Sequence, residues 1–121
     1  MASIAQPDAR VLLPLKPLVF QILLALSDGE RHGWSLVKEI QQRTGGERIL
    51  PANFYRTLRG MLGDGLIKDA GMKAGDGDPA DERRRYFQLT PFGQDAARLE
   101  ARRLQELVAD TRTKRLLSAR R

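Results

Sequence analysis

The feature that most constrains this chain is a change of hydrophobic period near residue 65. Before it, apolar residues recur at three and four, the spacing that lines one face of an α-helix. After it, residues 84–89 alternate: Arg85, Phe87 and Leu89 fall on one side, Arg84, Tyr86 and Gln88 on the other. That is the pattern of a half-buried strand. Leu66 to Ala70 is a second short, partly apolar run, and the segment AGMKAGDGDPAD between the two is rich in turn formers. Two such runs around such a loop predict a β-hairpin.

The helical part divides at its punctuation. Leu15, Leu18, Val19, Ile22, Leu23 and Leu26 form one amphipathic stripe, with Pro17 in its first turn and Ser27-Asp28-Gly29 as its stop. A second helix runs from about His32 to Thr44, turns Gly33, Leu36, Val37 and Ile40 inward, and is closed by Gly45-Gly46. A third begins at Pro51. At 100° per residue it gathers Phe54, Tyr55, Leu58, Met61 and Leu62 on one face. Asn53, Arg56 and Gly60 fall opposite, with Thr57 and Arg59 on the flanks. Thr90-Pro91 opens a last helix, Thr as N-cap and Pro in the first turn. It runs to about Leu117, some 40 Å, with a stripe of Phe92, Ala96, Leu99, Leu104, Leu107 and Val108.

Helix, helix, helix, strand, loop, strand, long helix is the order of a winged helix-turn-helix: mainly α, with a small β-hairpin. The expected organisation is an N-terminal arm over residues 1–14, a DNA-binding domain over 15–90, a C-terminal dimerisation helix over 91–117 and a basic tail over 118–121.

Composition narrows the chemistry. The 121 residues suffice for one domain. With 21 Lys and Arg against 15 Asp and Glu, the chain carries +6, a balance that favours polyanions, nucleic acid before anionic membrane. It has no Cys and one His, which excludes thiol nucleophiles, thiolate zinc sites and multi-histidine metal clusters. No nucleophile elbow, phosphate-binding Gly-rich loop or plausible carboxylate pair appears, so the chain reads as a non-enzyme without a cofactor. No run reaches the ~20 apolar residues of a membrane span. The start, MASIAQPDAR, lacks the basic n-region of a signal peptide, so a cytoplasmic location is expected.

The third helix is the one that can enter a major groove. Arg can bridge guanine O6 and N7, and Asn can bridge adenine N6 and N7. The candidate DNA contacts are Asn53, Tyr55, Arg56, Thr57 and Arg59 from this helix, with Lys73, Arg83, Arg84 and Arg85 from the wing. The wing tip itself is acidic, with Asp76, Asp78, Asp81 and Glu82. These carboxylates are expected to pair with the arginines or to face away from DNA. Asp76-Gly77-Asp78 has the look of a calcium loop but lacks the later ligands. His32 is expected to cap the second helix or bond a backbone carbonyl, and Trp34 to pack near the core.

Four stretches resemble the PadR-like transcriptional regulators over about residues 15–110. His32-Gly33-Trp34 resembles the family's His-Gly-aromatic entry to the second helix, with Trp where Tyr is usual. Pro51-Ala52-Asn53-Phe54-Tyr55-Arg56-Thr57-Leu58 resembles its recognition-helix motif, with Ala52-Asn53 in place of Gly-Thr. Residues 61–67 are similar to its Leu-x-x-Asp-Gly-Leu-Ile exit. Residues 84–93 are similar to its Arg-x-Tyr-x-Leu-Thr-x-x-Gly signature. The resemblance implies a DNA-contacting role for Tyr55 and a two-fold dimer through the first and last helices. The expected seam holds Leu18, Ile22, Phe92, Ala96, Leu99, Leu104, Leu107 and Val108. It also implies a small aromatic effector between subunits, to which the last helix offers Phe92 alone as an aromatic ring.

The leading reading is a homodimeric, sequence-specific regulator that binds double-stranded DNA and represses from a palindromic operator. The alternative is a winged-helix protein-interaction adaptor without DNA binding. A third class is an RNA-binding or nucleoid-type protein with little sequence preference.

Overall fold

The computed structural model describes residues 8–74 and 83–119. The acidic residues Asp76, Asp78, Asp81 and Glu82 lie outside them. The first described element is a 3-10 turn at Ala9–Leu12, opened by Asp8, whose carboxylate accepts from the Arg10 backbone N–H at 2.9 Å. Helix α1 is Pro17–Leu26, strand β1 Arg31–His32, and helix α2 Gly33–Arg43. Helix α3 is Pro51–Gly63, strand β2 Ile67–Ala74 and strand β3 Arg83–Leu89. Helix α4 is Pro91–Ala109 and helix α5 Thr111–Ser118. The three strands form an antiparallel sheet in the order β1-β3-β2.

Helices α1, α2 and α3 close on one core, whose largest fully buried side chains include Ile22, Leu23, Leu36, Phe54, Leu58 and Met61. Ile67 from β2 and Phe87 from β3 join it, so the sheet is fastened to the helices at its base. β2 and β3 pair from Ile67↔Leu89 to Ala74↔Arg83, with a bulge between Asp69 and Gly71. Gly71 takes φ 94 there and donates its N–H to Asp69 Oδ1 at 2.7 Å. A side chain would strain that backbone.

The join between wing and last helix is tight. Thr90 caps α4, its Oγ1 accepting from Gly93 N at 2.9 Å while donating to the carbonyl of Gly65 at 2.5 Å. A Cβ on Gly93 would stand 1.9 Å from the carbonyl oxygen of Leu66. Glycine at that position is therefore a packing requirement, and it accounts physically for a Thr-x-x-Gly sequence at this corner.

Several expectations are corrected. The expected arm is not free from Asp8 onward: the 3-10 turn lies against α4, Ala9 is buried, and Leu12 and Leu13 pack on the core. Nor does 90/91 divide the packing, since Ala96 and Glu100 of α4 are buried. The last helix is two helices. Asp110 leaves helical geometry (φ −61, ψ 137) and caps α5 by accepting from Arg112 N at 2.8 Å. An Asp whose side chain can bond the backbone two residues on competes with helix continuation. Ile22 and Ala96, expected at a dimer seam, have no exposed surface. The core has taken their side chains, which leaves nothing for a partner chain.

Strand β1 was not expected. It places Arg31 opposite Phe87 and His32 opposite Tyr86. Two residues are too few to show an alternation.

Candidate nucleic-acid interface

Helix α3 presents its faces unequally. Phe54, Leu58 and Met61 are buried, whereas Asn53, Arg56, Arg59 and Gly60 are exposed. Tyr55 and Leu62, grouped with the apolar face by helical spacing, are exposed as well. The true core face is narrower because three side chains fill the space between α1 and the sheet. Tyr55 keeps an edge-to-face contact with Phe54 at 5.3 Å between centroids, and its hydroxyl end lies over Gly33.

Arg56 and Arg59 have no hydrogen-bond or ion-pair partner among the described residues. Their guanidinium donors, always charged and arranged as a fork, face solvent. Thr57 is half-buried and donates its hydroxyl proton to the carbonyl of Asn53 at 2.8 Å, so it can offer an outside group only its acceptor lone pairs. The candidate contacts divide between two flanks of α3. Asn53, Arg56 and Thr57 border a groove of about 490 Å³ with Leu15, Lys16 and Val19. Tyr55 and Arg59 border a cleft of about 580 Å³ with Trp34 and the wing arginines.

Lys16 was missed by sequence reasoning. It is the N-cap position of α1, exposed and without a partner among the described residues. Only tertiary packing sets it beside Asn53 and Arg56. Trp34 is corrected in the other direction. It is 57% exposed at the wing-side cleft, because the inward face of α2 is taken by Leu36 and Ile40.

His32 caps α2 as expected. Its Nδ1 accepts from Ser35 N at 3.2 Å, and Ser35 Oγ accepts from His32 N at 3.2 Å. Its ring stands edge-on to Tyr86 at 5.3 Å, so one residue pins the start of α2 to the base of the wing.

The wing cations are engaged. Lys73 pairs with Glu30 and lies 5.4 Å from the centre of the Tyr86 ring. Arg85 pairs across the hairpin with Asp69. The Gly71 N–H and then the Arg85 guanidinium hold the Asp69 carboxyl below its ordinary range. Arg83 donates to the carbonyl of Met72 at 2.7 Å. Arg84 is half-buried and Arg85 exposed, the reverse of the order that alternation with Phe87 suggests. The bulge at Asp69/Gly71 sits on the strand paired with β3 at this point.

On the expected dimer surface, Leu18, Phe92 and Leu99 are half-buried against the core. Leu104 is half-buried, while Leu107 and Val108 are 52% and 54% exposed. Glu100 was not singled out in the sequence. It is 2% exposed and receives two hydrogen bonds from Arg103 at 2.7 and 2.8 Å. The Arg103 guanidinium holds its carboxyl below the ordinary 4.5, against the opposing effect of burial, and the Leu15 N–H adds to the lowering.

Among the described residues no group of His, Asp and Glu could hold a metal ion, and no helix is long and apolar enough to cross a membrane.

Comparison with known proteins places this arrangement. The chain is 33% identical over 89 residues to Transcriptional regulator Rv3488 of Mycobacterium tuberculosis, covering 74% of this chain and 77% of that one. The fold matches that of a PadR family transcription regulator from Clostridium difficile, with TM-score 0.61 and 22% identity over 77% of this chain and 95% of the other. RosR of H. salinarum matches with TM-score 0.62 and 21% identity, over 88% and 89% of the two chains. The model of the Transcriptional regulator PadR-like family matches residues 22–99, a span that takes in every element from the second turn of α1 to the middle of α4. With its winged helix-turn-helix and its four motifs in order, this chain belongs to the PadR-like family of transcriptional regulators, a family of regulators and not of enzymes.

Proposed function

We propose that this regulator binds double-stranded DNA sequence-specifically as a homodimer and represses transcription, in the cytoplasm, by occupying a palindromic operator. The observation that carries the DNA reading is the outward face of α3. Two arginines there lack internal partners and stand beside an exposed asparagine, which is the side-chain chemistry that reads guanine and adenine edges. The wing and Lys16 flank that face with further positive charge, suited to phosphates.

The dimer reading is supported by apolar surface the monomer leaves bare. Leu107 and Val108 are about half exposed, and Leu116 and Leu117 of α5 are 77% and 72% exposed. Covering such a side chain fully is worth roughly 1.5–3 kcal/mol. A second copy brings the same stripe as its own complement. Paired recognition helices about one DNA turn, ~34 Å, apart would then match a palindrome.

The test is affinity for a duplex selected from a random pool against affinity for unselected duplex at one salt concentration, with sedimentation of the same samples. We expect a dimer that prefers the selected duplex by about 10³ or more. Equal affinity for both duplexes would leave a protein-interaction adaptor or a nucleoid-type protein as the better reading.

A further inference from the structure

We infer that Leu50 reads the 5-methyl group of a thymine in each half of the operator. This rests on the proposal that α3 enters the major groove. It adds an apolar contact, made by a residue just ahead of the helix, to the polar readers already described.

Leu50 is the N-cap of α3, in extended geometry (φ −74, ψ 129), and its side chain makes no capping bond. Leucine is among the poorest residues for that position, where a side-chain oxygen normally satisfies a free backbone N–H. Its side chain is also 57% exposed, so core packing does not account for it. Pro51 and Ala52 are exposed too, and the first buried residue of the helix is Phe54. Three successive apolar residues thus form the leading edge of α3, the end from which a recognition helix contacts base edges. On those edges the apolar group is the thymine C5-methyl; the other major-groove features are hydrogen-bond donors and acceptors. Asn53 follows directly, with the amide that pairs with adenine N6 and N7, so the edge as a whole suits an A·T step. The bare apolar surface suited to a second copy lies on other elements, α4 and α5.

The experiment uses the full chain and the tightest duplex it selects from a random pool. Each thymine is replaced in turn by uracil, which removes the methyl and leaves every hydrogen-bonding group in place. At one position per half-site, uracil should weaken binding about fourfold, the worth of one buried methyl. Leu50→Ser should bind the thymine and uracil duplexes alike. Serine is a favoured N-cap, so helix content, followed by circular dichroism, should not fall. A selected duplex in which no thymine responds to uracil overturns the inference while leaving specific DNA binding intact. A methyl effect that survives in Leu50→Ser overturns it as well. Failure to prefer any duplex over random DNA would instead remove the DNA reading itself, and the methyl reading with it.

Discussion

The recognition helix and the wing carry similar cations in opposite states. On α3, Arg56 and Arg59 have no partner among the described residues. On the wing, Lys73 is held by Glu30, Arg85 by Asp69 and Arg83 by the Met72 carbonyl. A free guanidinium that meets a base or phosphate exchanges only water. A paired one must also give up its carboxylate or share it, so its net gain is smaller. Under the proposed DNA reading, the helix would discriminate and the wing would contribute a damped, salt-sensitive attraction. Counting basic residues in the sequence would rank the wing, with Lys73, Arg83, Arg84 and Arg85, above the helix, with Arg56 and Arg59.

The strongest way to break this comparison is to remove the proposed partner subunit. Leu107→Asp puts a charge into the half-exposed stripe of α4. We expect a monomer, with loss of most of the operator preference, about a thousandfold, and little loss of helix content. Sedimentation decides the first point, and a mutant that stays dimeric would move the seam away from this helix.

Arg56→Ala tests the free side of the comparison. Operator affinity should drop by about 1–3 kcal/mol and preference should relax at one base position per half-site, with random duplex much less affected. Unchanged operator affinity would mean that the unpaired arginine is a solvated surface group and not a reader.

The paired side is tested through Arg85 and Asp69. Arg85→Ala should weaken all duplexes alike and lower the salt slope by at most about one counterion, a smaller change than Arg56→Ala gives on the operator. Asp69→Asn, which releases Arg85, should strengthen binding to every duplex and steepen the salt slope. In an Arg85→Ala background the Asp69 change should lose its effect. If it persists there, the carboxylate acts by direct repulsion of DNA and the two regions differ less than their contacts imply.

The smallest effect on DNA is expected from Glu100, which is buried and paired with Arg103. Its carboxyl is held below 4.5 in the folded chain, so the ionised form favours folding. That contribution is complete well above pH 4.5 and is lost as the pH falls through the lower folded value. Glu100→Gln should flatten the acid limb of a stability curve while leaving operator preference at neutral pH unchanged. An acid limb identical to the parent's would show that the Arg103 pair contributes nothing to folding.

The elements themselves were largely legible because their signals are local. Pro17, Pro51 and Pro91 mark three helix starts, Gly45 and Gly65 close two ends with positive φ, and the alternation at residues 84–89 falls within β3. The break at Asp110 was legible in principle, since a capping residue follows just after Val108, the last residue of the stripe.

By itself, then, the sequence determined the order of helices and strands, the excess of positive charge and the family motifs, all of which depend on neighbours within a turn or two. Tertiary structure alone decided which side chains that pattern leaves outside. Tyr55 and Leu62 share the apolar half of a helical wheel yet stay exposed, because Phe54, Leu58 and Met61 already fill the available core. Glu30 and Lys73 meet across 43 positions of sequence, and Lys16 reaches the recognition helix only when α1 packs on α3. Periodicity reports on one element at a time. Which cation is free and which is paired depends on chains of contact between elements, and those exist only after the core has closed.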